Sequence, residues 1–177
     1  MVKLAYVAVD LVNDFVTGKF GSQRAVDVAN RAARFLSSLP TGSEVIFTLD
    51  THVKDDPEFA VWGEHCLAGT SGSRLYPALA AISGYRITKR HYDAFFQTDL
   101  DGYLRARHVT DLVIFGISTD ICVLHTCSGA FFNNYGAVVL ADLCTAIDEK
   151  HHEDAMEFIS RNYGFRITTS DEFQKEL

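Results

Sequence analysis

Short apolar segments that alternate with helical patterns constrain the fold of this chain more than any other feature of its sequence. Six short segments are predicted as strands, and most of them are almost continuously apolar, as expected for strands covered on both faces: residues 4–9, 44–49, 85–88, 112–115, 138–143 and 165–168. Helical patterns occupy residues 22–39, 75–82, 100–108, 123–133, 149–163 and 171–176. This alternation predicts an α/β fold, a parallel sheet with helices on both faces. A chain of 177 residues fits a single domain over 1–177.

The composition disfavours several classes of partner. The chain carries a formal net charge of −7, with 47% hydrophobic and 22% charged residues. Nucleic acids and anionic membranes select basic patches, so we expect neither as a partner and a small molecule instead. The first apolar run is too short for a signal sequence, and no segment approaches the roughly 18 apolar residues of a membrane span. We therefore expect a cytoplasmic protein whose four cysteines are free thiols.

Reactive side chains follow three of the predicted strands. Asp10 follows the first strand, Lys89 the third, and Cys122 closes a glycine-containing turn after the fourth. The carboxyl ends of parallel strands meet at one edge of the sheet, where α/β proteins bind ligands. Cys122 would lie near a helix N-terminus, which favours a thiolate, while a carboxylate could accept its proton and an ammonium could polarise both. Each residue alone also fits a structural role, but their joint placement favours nucleophilic catalysis.

A second polar group follows the second predicted strand. Asp50 and His52 are two positions apart in extended chain, so their side chains share a face. His65 lies further along in a long segment without a regular period, and Glu58 offers a second carboxylate. One carboxylate and two imidazoles suit zinc, iron or manganese better than calcium. Solvent-exposed loop histidines are the alternative interpretation, and the residues alone leave it open.

Five motifs in one order carry a resemblance to a known family. They are Val9-Asp10-Leu11-Val12-Asn13-Asp14-Phe15, Asp50-x-His52, Trp62-x-x-His65-Cys66-x-x-Gly69-Thr70, Thr88-Lys89-Arg90-His91-Tyr92-Asp93-Ala94-Phe95 and Gly116-Ile117-Ser118-Thr119-Asp120-Ile121-Cys122-Val123. With these motifs the chain resembles the nicotinamidases (pyrazinamidases) of the isochorismatase-like cysteine hydrolases. The resemblance implies a three-layer α/β/α, Rossmann-like domain with a six-stranded parallel sheet. It also implies hydrolysis of nicotinamide to nicotinate and ammonia in NAD salvage, with pyrazinamide as a further substrate.

The resemblance assigns a role to each residue of the catalytic motifs. Cys122 is the nucleophile that forms a thioester, Asp10 is the general base and Lys89 is the positioning cation. Backbone N–H groups of Ser118 and Cys122 form the oxyanion hole, and the Ile117–Ser118 peptide bond is cis. These assignments describe a cysteine amidohydrolase.

The resemblance also assigns the binding residues. It implies a divalent metal, zinc above all, with iron and manganese as alternatives. The implied metal ligands are Asp50, His52, Glu58 and His65. Many relatives have a histidine where Glu58 is the best match here, and Asp55 and Asp56 stay open as alternatives to it. Phe15 and Trp62 match the aromatic walls of the substrate pocket.

Three other functions fit parts of the sequence. An N-carbamoylsarcosine-type amidase of the same superfamily would use Asp10, Lys89 and Cys122 but has less use for the metal motif. A non-catalytic α/β binding module is expected to lose at least one of these three residues, and none is lost. An isochorismatase does not need the nucleophile that Cys122 supplies. The sequence therefore favours a nicotinamidase, and the resemblance leaves a homo-oligomer open, since dimers and tetramers are common among relatives.

Overall fold

Six strands form one parallel sheet in the computed structural model, which describes residues 3–177. The strands are β1 (Leu4–Val9), β2 (Glu44–Asp50), β3 (Tyr85–Lys89), β4 (Asp111–Ile117), β5 (Gly136–Thr145) and β6 (Arg166–Thr168). Their order across the sheet is β3-β2-β1-β4-β5-β6, and every neighbouring pair is parallel. The six-stranded parallel sheet expected from the sequence is therefore confirmed.

Helices cover both faces of this sheet. They are α1 (Asn13–Val16), α2 (Gln23–Ser38), α3 (Phe59–Trp62), α4 (Leu100–Ala106), α5 (Leu124–Phe132), α6 (Glu149–Tyr163) and α7 (Ser170–Gln174). Right-handed crossovers place a helix on one face or the other according to the direction of crossing. The chain crosses one way through α2 and the opposite way through α4, α5 and α6. This gives the three predicted layers, and no helix within residues 3–177 is long and apolar enough to cross a membrane.

Three segments differ from the helices predicted from the sequence. The segment 75–82 forms only a 3-10 turn, Pro77–Leu79. The chain then enters β3 through Gly84, which packs so close to Phe47 that a Cβ atom there would be 2.7 Å from the ring. The single helical turns α1 and α3 form outside the helical patterns of the sequence.

Aromatic side chains fix α2 and α7 to the centre of the sheet. Phe35 of α2 packs edge-on against Tyr6 of β1 and Phe115 of β4, with ring centroids 6.0 and 5.8 Å apart. Phe173 of α7 contacts Tyr6 in the same way at 6.4 Å. All four rings are buried, and burial of a side chain of this size contributes roughly 1.5–3 kcal/mol. The strands that carry the site are therefore anchored by the core.

The direction of the strand order reverses between β1 and β4, which are neighbours in the sheet. In open α/β sheets such a switch point leaves a crevice at the carboxyl ends of the strands. Gly116 lets β4 approach β1 here, because its φ is +137° and a Cβ atom would collide with the carbonyl oxygen of Val9. The residues that follow β1 and β4 therefore meet at one edge of the sheet.

Candidate active site

Asp10 lies directly beyond β1 and is held by Thr48 of β2. Its backbone is in the left-handed region, with φ at 51°, a costly conformation for a residue with a side chain that often occurs at functional sites. Its amide N–H donates to the Thr48 carbonyl oxygen at 3.1 Å, and the Thr48 hydroxyl donates to carboxylate Oδ1 at 2.8 Å. The other carboxylate oxygen faces the ammonium of Lys89.

Lys89, the last residue of β3, brings a buried ammonium to the catalytic residues. Its Nζ lies 2.6 Å from Asp10 Oδ2, 3.6 Å from Asp50 Oδ1 and 3.7 Å from Cys122 Sγ. It also donates to the carbonyl oxygen of His91 at 2.8 Å. Lys89 is opposite Asp50 in the register of β3 and β2, so the sheet sets its position. The structure therefore brings Asp10, Lys89 and Cys122 together in one cluster.

Cys122 lies in a π-helical turn, Thr119–Val123, that follows β4. The Ile117–Ser118 peptide bond before this turn is cis, as predicted. The Ser118 carbonyl oxygen accepts the N–H groups of Ile121 and Val123 at 3.2 and 3.0 Å, which closes the turn around Cys122. Ser118 and Cys122 line the same cavity, and their role as an oxyanion hole stays a prediction.

Burial changes the ionisation expected for the catalytic cluster. Burial raises the pKa of the Cys122 thiol well above its usual range, although Lys89 opposes this. Burial therefore opposes the thiolate that the helix end and the Lys89 ammonium favour. Burial also raises the pKa of Asp10 against the effect of Lys89. The cluster places a thiol beside a carboxylate whose pKa is raised, so this carboxylate accepts a proton more readily than an ordinary aspartate.

Two imidazoles and two carboxylates converge beside Lys89. Asp50 Oδ2 lies 3.0 Å from His52 Nε2 and 3.5 Å from His65 Nε2. Glu58 Oε1 lies 3.9 Å from each of the same two nitrogens. The two histidines lie close together because the segment after β2 is hydrogen-bonded to the segment that follows His65. The backbone N–H of His52 donates to the carbonyl oxygen of Cys66 at 2.9 Å. All four predicted metal ligands therefore lie together.

The chemistry of this donor set fits a divalent metal ion. His65 Nδ1 lies 2.8 Å from the carbonyl oxygen of Gly63, and His52 Nδ1 lies 3.2 Å from Asp56 Oδ2. Metal-binding histidines typically have such partners, because these leave Nε2 available to the ion. Four nitrogen and oxygen donors suit zinc, iron or manganese. Asp55 is exposed and Asp56 is on the far side of His52, so Glu58 is the one of the three alternatives whose carboxylate faces both Nε2 atoms.

The charges of the buried cluster also favour a cation. Asp10, Asp50 and Glu58 contribute three carboxylates, and Lys89 contributes one ammonium. Burial raises the pKa of Asp50, but the neighbouring His52, His65 and Lys89 outweigh burial and hold this pKa well below the usual range. Buried charge without a partner is costly. A divalent cation would balance the excess of negative charge.

A cavity of about 610 Å³ opens over both groups of residues, a volume typical of small-molecule sites. The predicted wall residues Phe15 and Trp62 line it, and the structure adds Phe20 and Tyr92. Phe20 packs edge-on against Trp62, with ring centroids 6.3 Å apart. The Trp62 indole N–H donates to the Tyr92 hydroxyl at 2.9 Å. Four aromatic side chains thus line the cavity that contains Cys122.

Sequence reasoning missed Phe20 and Tyr92 as wall residues. Tyr92 belongs to the motif that contains Lys89, but the motif alone does not show where the side chain points. Phe20 lies in a glycine-flanked loop whose position depends on a distant contact, in which the neighbouring Lys19 donates to the carbonyl oxygen of Glu64 at 2.9 Å. An aromatic residue in a glycine-flanked loop after the first strand was the available signal.

Comparison with known proteins identifies relatives of the whole chain. The isochorismatase domain matches residues 5–172. The nicotinamidase of Escherichia coli (strain K12) is 29% identical over 191 residues, which cover 88% of this chain and 89% of the relative. The structure of N-carbamoylsarcosine amidase from Thermoplasma acidophilum is 32% identical with a TM-score of 0.87, covering 96% of this chain and 98% of that one. The structure of a nicotinamidase from Bacillus subtilis is 28% identical with a TM-score of 0.87, covering 94% and 99%.

Proposed function

The chain belongs to the isochorismatase family of hydrolases, and within it we propose a metal-assisted cysteine amidohydrolase that converts nicotinamide to nicotinate and ammonia. One observation carries this proposal: Cys122 lines the same cavity as the donors Asp50, Glu58 and His65. Nicotinamide and pyrazinamide both carry a carboxamide for the thiol and a ring nitrogen for a metal. Hydrolysis of nicotinamide would place the protein in NAD salvage.

The first half of the reaction forms a thioester on Cys122. Its sulfur attacks the carboxamide carbon while the thiol proton passes to Asp10, whose raised pKa suits it to accept a proton. Lys89, 3.7 Å from the sulfur, stabilises the negative charge that develops there. The backbone N–H groups of Ser118 and Cys122 would stabilise the oxyanion. Asp10 then donates the proton to the amide nitrogen, which leaves as ammonia.

The second half of the reaction hydrolyses the thioester. Water attacks the acyl carbon, and Asp10 takes a proton from that water. The carbon–sulfur bond breaks, nicotinate leaves, and Asp10 returns the proton to Cys122. Burial lowers the pKa of Lys89, but the carboxylates of Asp10 and Asp50 outweigh burial and raise it, so the ammonium keeps its charge.

The metal-binding residues would orient the ring rather than break the amide bond. The donors that would hold the ion are Asp50, His52, Glu58 and His65. When bound, a divalent metal supplies a Lewis acid that recognises the ring nitrogen. Phe15 and Trp62 would flank the ring, since flat aromatic side chains pack well against a heteroaromatic ring. The ring contacts and the thiol together would hold the carboxamide in position for attack.

A lysine side chain that lines the cavity favours a second candidate function, an N-carbamoylsarcosine-type amidase. Lys19 lines the cavity, and its ammonium uses one N–H on the carbonyl oxygen of Glu64, so further donors remain for a ligand. A carbamoylated amino acid carries a carboxylate that could pair with this ammonium, whereas nicotinamide carries none. The likeness to an N-carbamoylsarcosine amidase structure supports the same candidate.

Ammonia release from several amides distinguishes these candidates. The purified protein would be stripped of metal, reconstituted separately with zinc, manganese and ferrous iron, and given nicotinamide, pyrazinamide or N-carbamoylsarcosine. We expect metal-dependent release from the two ring carboxamides and none from the Cys122→Ala variant. Metal-independent release from N-carbamoylsarcosine alone would establish the second candidate. No release from any substrate would indicate a non-catalytic binding module.

A further inference from the structure

Asp56 is a buried carboxylate that contacts the metal-binding residues without pointing into the metal site. Its side chain is 6% exposed, and its Oδ2 lies 3.2 Å from His52 Nδ1, the ring nitrogen that faces away from the other donors. Its Oδ1 accepts the backbone N–H of Glu58 at 3.2 Å. One side chain therefore contacts two of the four proposed ligands.

The two contacts fix the two ligands in different ways. Asp56 Oδ2 lies 3.2 Å from His52 Nδ1 but is not aligned for a hydrogen bond in this structure. A carboxylate at this distance favours the tautomer with its proton on Nδ1, which leaves Nε2 for a metal ion. The hydrogen bond to the Glu58 amide fixes the backbone at the start of α3, from which the Glu58 side chain reaches the two imidazoles. Without Asp56, the His52 ring and the Glu58 backbone would each be more mobile, and metal binding would have to restrict this additional conformational freedom.

Arg90 holds Asp56 in this orientation. Its Nε and Nη2 donate to Asp56 Oδ2 at 3.1 and 2.9 Å. Arg90 directly follows Lys89 at the end of β3, so its guanidinium links the metal-binding segment to a catalytic strand. The Arg90 side chain is 48% exposed and water screens the attraction, so its contribution is geometric more than energetic.

We propose that Asp56 is a positioning residue of the metal centre and that Arg90 orients it. Asp56 presents His52 and Glu58 in binding geometry and does not itself bind the ion. This inference rests on the metal site of the proposed function, but it concerns affinity for the ion and not the identity of the substrate. Outer partners of metal ligands typically change metal affinity about 10- to 100-fold.

The zinc affinity of the full-length, metal-free protein tests this role. Competition with a chromophoric chelator would compare the wild type with Asp56→Asn and with Asp55→Asn. Asp55 is a matched control, because it is the neighbouring aspartate and is exposed. We expect Asp56→Asn to weaken zinc binding about 10- to 100-fold, Arg90→Gln to weaken it less, and Asp55→Asn to leave it unchanged. Equal affinity of Asp56→Asn and the wild type would overturn the inference.

Cobalt spectra separate positioning from ligation. The ligand-field bands of the Co²⁺-loaded protein depend on which atoms bind the ion. We expect Asp56→Asn to keep the wild-type bands and Glu58→Gln to change them. Changed bands in both variants would show that Asp56 is itself a ligand, which contradicts the proposal.

Failure of this inference differs from failure of the proposed function. Circular dichroism of the metal-free variants reports whether they fold, and Arg90→Gln tests the same link from the protein surface if Asp56→Asn does not fold. A wild type that binds no zinc would refute the metal centre and the role of Asp56 together. Zinc binding that depends on Asp56, without nicotinamide hydrolysis, would refute the substrate and leave the role of Asp56 standing.

Discussion

The catalytic cluster and the metal-binding cluster are neighbours, but the chain builds them in different ways. Asp10, Lys89 and the turn of Cys122 each follow the end of a strand, so the parallel register sets their relative positions. Glu58 and His65 instead lie in the long segment between β2 and β3. The sheet would therefore position the residues that cleave the amide bond, and a loop would position residues that recognise the ring.

Individual hydrogen bonds hold that loop in place. The Asp14 carboxylate accepts the N–H of Cys66 at 2.7 Å, and Lys19 donates to the carbonyl oxygen of Glu64 at 2.9 Å. These bonds can be altered one at a time, whereas the strand ends are fixed by a buried core. The comparison teaches that the two clusters can be perturbed separately, and substitutions can test this.

The largest effect is expected for Cys122→Ala, which breaks the catalytic cluster alone. Loss of the nucleophile should lower kcat/KM for nicotinamide by more than about 10⁴-fold. Zinc affinity should stay at the wild-type level, because Cys122 is not among the four proposed donors. Steady-state kinetics and chelator competition measure the two quantities, and a parallel fall in zinc affinity would show that the clusters are not separable.

Asp10→Asn should uncouple ionisation of the thiol from catalysis. Asp10 is one of the groups that raise the pKa of Cys122, so its neutralisation should lower that pKa and shift iodoacetamide alkylation of Cys122 to lower pH. Hydrolysis should nevertheless fall by about 10²- to 10⁴-fold, because no group remains to carry the proton. Mass spectrometry of the alkylated protein across a pH series reports the shift. An alkylation profile displaced to higher pH would contradict the described cluster.

Glu58→Gln should break the metal-binding cluster alone. Loss of one anionic donor should weaken zinc binding by at least the roughly 10- to 100-fold expected even for an outer partner. Nicotinamide hydrolysis should fall at low zinc and recover in excess zinc, while the alkylation profile of Cys122 keeps its wild-type pH dependence. A variant that zinc fails to rescue would tie Glu58 to bond cleavage.

The smallest effect is expected for Phe20→Ala, at the exposed edge of the aromatic wall. Lost ring contacts of about 0.5–1.5 kcal/mol should raise KM for nicotinamide about 2- to 10-fold. The value of kcat should stay unchanged, because the ring contacts of Phe20 are with Phe15, Trp62 and His65 on the binding side of the cavity. Initial-rate kinetics separate the two constants, and a fall in kcat at constant KM would place Phe20 in the catalytic step.

The contrast between residues at strand ends and residues in the loop also explains which features could be predicted from the sequence. Strand ends are visible as apolar runs that stop at Asp10, Asp50 and Lys89, and a parallel sheet brings such ends to one edge. The fold and the catalytic cluster could therefore be predicted from local patterns. The proximity of the Asp50 and His52 side chains could also be predicted, because both residues lie in extended chain at the end of β2.

Features that depend on distant contacts could not be predicted. The residues alone leave Glu58, Asp55 and Asp56 open as ligands, and only the resemblance favours Glu58, because the side of His52 that each carboxylate reaches depends on the fold. The effect of burial on the Cys122 thiol has the same origin, because it arises only in the folded cluster, whereas the local sequence shows only the helix end. Phe20 lines the aromatic wall of the cavity because its loop is hydrogen-bonded, through Lys19, to the metal-binding segment.

The ratio of kcat/KM for nicotinamide to that for benzamide, measured with and without zinc, tests the division between the two clusters most directly. Benzamide offers the same carboxamide to Cys122 but has no ring nitrogen for a metal. A large ratio with zinc that collapses on metal removal, with benzamide hydrolysis unchanged, is the predicted result. A ratio that does not respond to zinc, or benzamide hydrolysis that falls as steeply as nicotinamide hydrolysis, would contradict it.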